Sequence, residues 1–141
     1  MTKAIVLGLS LVLIGTAVAP TAFSGTQSNA SINAFWEKFR AAVIKEDKVT
    51  VAELTQFPVE MPYGVPKVRN KAQLIKRYRS IFYFEHNARE CFNKAKPEVN
   101  SSNPSEFTVA CKNAAGEEVI IYSFKRTQNG WKFSGLDNIN E

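Results

Sequence analysis

Between residues 32 and 82 apolar residues recur at helical spacing, and from residue 106 onward they recur at every second position. Ile32, Phe35, Trp36, Phe39 and Val43 fall at i, i+3, i+4, i+7 and i+11, while Glu37, Lys38, Ala41 and Lys45 take the other side. This spacing predicts an amphipathic helix. Three further helix starts show a cap oxygen followed three residues later by Glu or Gln. Thr50 with Glu53 opens a short helix through Leu54, stopped by Pro58. Asn70 with Gln73 opens a longer one with Leu74, Ile75, Tyr78, Ile81 and Phe82 on one face. Asn87 with Glu90 opens a third, bringing Ala88, Cys91, Phe92 and Ala95 together before Pro97 ends it.

The segment FPVEMPYGVPKV (57–68) carries three prolines, which rules out a central strand and predicts an extended edge or a surface loop. Beyond it, EFTVACK (106–112), EVIIYSFKR (118–126) and GWKFSG (130–135) alternate as strands. Short turns at 113–116 and 127–130 join them into an antiparallel meander. Helices followed by strands is an α+β order, with the N-terminal helices packed on one face of a curved antiparallel sheet. In the last strand Trp131 and Phe133 share a side and are expected to pack against the first helix, with Asp137 marking where the strand ends.

The first 24 residues read as an export signal, not as fold. Met1-Thr2-Lys3 is followed by the apolar run 4–19, shorter than the roughly 20 residues a membrane-spanning helix needs. Ala17-Val18-Ala19 fits a small-x-small cleavage site, although Pro20 follows it; a site near 22–25 is equally compatible. With no cysteine in this region, a lipid anchor is not expected. The division is therefore a signal over 1–24, a flexible polar leader over 25–31 and one domain over 32–141, secreted or periplasmic, without stable membrane insertion.

Removing the signal takes away one lysine and no acid, which leaves a net charge of +4 from +5. That is too mild a balance for a nucleic-acid binder, and export points the same way. Cys91 and Cys111 are the only cysteines, and in an oxidising compartment an isolated pair reads as a disulfide, here from a helix to a strand. With one histidine and no C-x-x-C, neither a metal ligand set nor a cofactor is expected.

Phe35-Trp36-x-x-Phe39-x-x-Ala42-Val43, Asp47, Val51-Ala52-x-Leu54-x-x-Phe57-Pro58, the helix from Leu74 to Phe82 and the closing Gly130-Trp131-Lys132-Phe133 resemble the nuclear transport factor 2-like superfamily, of cystatin-like, cone-shaped α+β rolls. The likeness is greatest to small secreted bacterial members and covers nearly all of residues 32–140. It implies a strongly bent sheet wrapped around long helices, with a cavity open at one end. It also implies that many members form homodimers through the sheet, and that some are isomerases or cyclases while many only bind.

The candidate residues follow from that frame. A small apolar ligand in the roll would be lined by Tyr78, Tyr122 and Trp131. Lys67, Arg69, Lys71, Lys76, Arg77 and Arg79 form an acid-free run suited to an acidic partner. Asp137, if held in an apolar cavity, or His86, titrating near neutrality, would serve as general base in an enzyme. The resemblance, with no orienting partner legible for Asp137 or His86, leads to a non-catalytic binding domain, holding an apolar ligand in the cavity or a protein on the sheet or basic face. The enzyme using Asp137 or His86 is the alternative.

Overall fold

The structure, a computed structural model, describes residues 24–61, 67–83, 86–112 and 117–139. Residues 1–23 of the expected export signal and the turn at 113–116 lie outside the described residues. Among the described residues, four helices precede or interleave a five-stranded sheet: α1 (Ser24–Ile44), α2 (Lys48–Glu53), β1 (Thr55–Glu60), α3 (Lys71–Phe82), α4 (Ala88–Phe92), β2 (Glu98–Val99), β3 (Glu106–Lys112), β4 (Glu118–Thr127) and β5 (Gly130–Asn138). The class is α+β, with the helices packed on the sheet.

Helix α1 is described from Ser24, and residues 25–31, expected as a polar leader, form its opening turns. No proline or glycine interrupts the chain between residues 26 and 44, and Ser, Asn and Gln cost a helix only a few tenths of a kcal/mol each. The predicted stripe is the buried one: Ile32, Trp36, Phe39 and Val43 are all within the core. The cap of α2 is Asp47 instead of Thr50, because the Asp47 carboxylate accepts from both the backbone N–H and the hydroxyl of Thr50. These bonds hold the carboxyl below its usual range. Asn70 caps α3 as its sequence suggests, and Asn87 caps α4, which ends at Phe92 well before Pro97. Ile75, expected on the buried face of α3, is exposed.

Strand order is β1-β5-β4-β3-β2. The β3–β4–β5 meander is antiparallel, as the turns predict. The sheet is nonetheless mixed, because β1 runs parallel to β5. The described start of the proline-containing stretch, residues 57–60, is thus an extended edge: Pro58 sits in β1, where it removes no central ladder bond, while residues 62–66 lie outside the described residues. Gly135 lets this edge approach, since a Cβ there would lie 3.3 Å from the Glu60 carbonyl oxygen.

The core is ring upon ring. Phe39 of α1 meets Phe82, Phe92, Phe124 and Phe133 from four other elements at centroid distances of 5.1–6.4 Å. Trp131 packs edge-on to Phe107 and its indole N–H donates to the Ser31 hydroxyl on α1. The Cys91–Cys111 disulfide joins α4 to β3, the helix-to-strand staple expected.

Candidate functional site

Where α3 ends against the middle of the sheet, polar atoms enter the aromatic core. Tyr78 lies on α3 and Tyr122 at the centre of β4, and His86 follows α3. The Tyr122 hydroxyl is 2.7 Å from His86 Nε2. Phe82 stacks on Tyr122 at 5.8 Å and Phe92 meets it at 77° and 4.9 Å, and Tyr122 is fully buried. Tyr78 donates its hydroxyl to the Val43 carbonyl at 3.2 Å, tying α3 to the end of α1.

Burial sets the charges here. Loss of solvent pushes the His86 imidazole down to about 4, and burial, reinforced by Tyr78 and Tyr83, pushes the Tyr122 phenol well up. Near neutrality both groups are uncharged. The arrangement that uses both polar atoms has Tyr122 donating to Nε2, with the imidazole proton on Nδ1. Nδ1 is buried and has no hydrogen-bond partner among the described residues. Among those residues no carboxylate is hydrogen-bonded to the ring, the partner that usually orients a histidine base.

The residues expected to line one pocket do not all meet. Tyr78 and Tyr122 share this nest, whereas Trp131 stands at the opposite end of β5, paired with Arg126. Asp137 is separated from His86 by the sheet itself. Strict alternation would have put residues 131, 133, 135 and 137 on one face. Ser134, however, is an extra residue: Phe124 pairs with Phe133 while Ser123 pairs with Gly135. The bulge, marked by the Ser134 hydroxyl donating to the Ser123 carbonyl, turns Asp137 onto the outer face beside Ile121. Nor does the strand end there, since β5 continues to Asn138 and Asp137 is half-buried, with Oδ1 covered. It lines a shallow concavity of about 300 Å³ with Glu60, Glu106, Thr108, Ser123 and Lys125.

The basic run folds into a concavity of about 430 Å³ lined by Lys67, Arg69, Gln73, Lys76 and Arg77. Two elements build it. Val68 bridges to Val59 on the sheet edge and is fully buried, so its neighbours Lys67 and Arg69 turn outward. Gln73, Lys76 and Arg77 stand at i, i+3 and i+4 on α3, one face of a helix whose opposite face buries Leu74, Tyr78, Ile81 and Phe82. Lys71 and Arg79 are exposed on the same helix but are not among the lining residues. Gln73 is the member that charge alone did not reveal. Its signal was the capping pattern, in which its Oε1 accepts from the Arg69 N–H at 2.8 Å.

Among the described residues no group of three His, Cys, Asp or Glu could hold a metal ion, and no helix is long and apolar enough to cross a membrane. No family model matches the chain, and no curated protein is similar to it. Similar solved structures include an NTF2-like protein with a cystatin-like fold from Novosphingobium aromaticivorans (15% identity, 80% of this chain and 81% of that one, TM-score 0.46). A protein with a cystatin-like fold from Caulobacter vibrioides is similar at 13% identity, covering 79% and 88%, with a TM-score of 0.47. A hexachlorocyclohexane dehydrochlorinase (LinA) is similar at 10% identity, covering 79% and 84%, with a TM-score of 0.46.

Proposed function

We propose that this chain is an exported, non-catalytic binding domain that meets an acidic partner through the basic concavity beside α3. The observation that carries this reading is the convergence of four cationic side chains from two elements on one open concavity of about 430 Å³. Export is supported by the apolar run 4–19 behind Lys3 and by the paired cysteines. A small apolar ligand inside the roll has less support, because Phe39, Tyr78, Phe82, Phe92, Tyr122, Phe124 and Phe133 are each at most 1% exposed and contact one another there.

The test is a fluorescent polyglutamate peptide titrated onto the protein as exported, at low and at roughly physiological salt. Binding that weakens at least tenfold with added salt supports the reading, because screening acts on exposed charge pairs. Absence of binding at low salt overturns it.

An isomerase- or cyclase-like enzyme is the competing reading, and the 2.7 Å contact of Tyr122 with His86 favours His86 over Asp137 as its base. Such a base must be reachable. His86 is the only histidine, so diethyl pyrocarbonate reports on it alone. Protection of the native protein agrees with a closed nest, whereas modification as fast as in the unfolded chain restores the enzyme reading.

A further inference from the structure

We infer that the concavity beside α3 is a socket for the phosphate group of a phosphate monoester, an inference that rests on the acidic-partner reading and narrows it. Charge balance comes first. Lys67 is already matched by Glu60, with Nζ 2.7 Å from its carboxylate oxygen, and Arg77 has an interaction of its own. Arg69 and Lys76 make no ion pair among the described residues, and the run 67–79 contains no acid. Two positive charges without an ion-pair partner among the described residues therefore line the space. A phosphate monoester carries close to two negative charges near neutrality and matches them, while a single carboxylate leaves one unpaired.

Geometry adds to charge. A guanidinium presents a planar fork that engages two oxygens of one phosphate, and an ammonium supplies a point charge beside it. Gln73 contributes a neutral donor: its Oε1 is taken by the Arg69 N–H, which leaves the Nε2 amide to donate. The cradle is also assembled in advance. Asn70 accepts from the Gln73 N–H at 3.0 Å and Gln73 holds Arg69, so the extended segment and the first turn of α3 are locked together. A backbone fixed before a ligand arrives loses less freedom on binding it. A space of about 430 Å³ exceeds what a bare phosphate needs and leaves room for a sugar-sized body behind it.

The experiment is amide NMR of the exported protein titrated with inorganic phosphate, glucose 6-phosphate and succinate at matched ionic strength. Vesicles of phosphatidylcholine with or without phosphatidic acid form a parallel arm. The expected result is saturable shifts at residues 67–77 with both phosphates, at least tenfold weaker with succinate, and lost in Arg69→Gln and Lys76→Gln but kept in Arg126→Gln. A soluble phosphate ester as the source gives saturation in solution and no vesicle binding. A lipid headgroup gives binding only to the phosphatidic acid vesicles, abolished by the same two variants. Equal response to phosphate and succinate overturns the socket, yet leaves the acidic-partner reading standing if polyglutamate still binds. Failure of every anion, polyglutamate included, overturns both.

Discussion

The nest around Tyr122 and the concavity beside α3 are only one helix thickness apart, since α3 supplies Tyr78 to the first and Gln73, Lys76 and Arg77 to the second. They treat polar groups in opposite ways. In the nest, burial removes charge: the imidazole is neutral, the phenols stay protonated, and each ring is fixed by others. In the concavity the charges stay in water, where their repulsion is screened and their attraction to an anion costs little desolvation. Stability thus belongs to the inner face of α3 and recognition to its outer face. A residue that matters greatly to one should matter little to the other.

The largest effect that would sharpen this contrast is on the core. Trp36→Ala or Phe39→Ala is expected to cost about 3–5 kcal/mol in urea unfolding. A cost below about 1 kcal/mol would show that the rings are not the scaffold of the nest. Replacing Cys91 and Cys111 by Ala should come next, at about 2–4 kcal/mol, from the freed loop in the unfolded chain. Thermal unfolding under oxidising conditions reads this directly.

Acid then probes the nest. Folding keeps His86 from its proton, with the folded value near 4 against 6.5 for the free side chain. The unfolded chain takes that proton first as pH falls. The stability at issue is complete above pH 6.5, declines between 6.5 and 4, and is flat below. For a ring that is only partly buried the total is about 2 kcal/mol. His86→Leu should flatten that slope in pH-resolved denaturation, and an unchanged slope would place its origin elsewhere.

The smallest expected effect falls on the concavity. Lys76→Gln should change unfolding free energy by less than about 0.5 kcal/mol, as for an exposed surface position. Polyglutamate binding should fall several-fold in the same variant. Loss of stability together with binding would erase the division between the two faces of α3.

Much of this architecture was legible along the chain because it is written in local periods. The stripe of α1, the Asn70 and Asn87 caps, the three meander strands and the cysteine staple each follow from residues within one or two turns of each other, or from compartment chemistry. Edge placement of Pro58 followed from its missing N–H. The basic run was equally visible, since six cations without an acid need no fold to be counted.

What only the folded chain decided depends on contacts between distant segments. The pairing of Tyr122 with His86 spans 36 residues and joins a strand to the chain after α3. The fate of Asp137 turned on one extra residue at Ser134, which reverses the side-chain alternation and is set by the register of β5 on β4. Likewise, four of the six cations became a concavity only because buried Val68 paired with Val59 and laid Lys67 and Arg69 beside α3. Sequence period determines which face an element buries. Which distant faces then meet is determined by register and packing, and no local pattern encodes these.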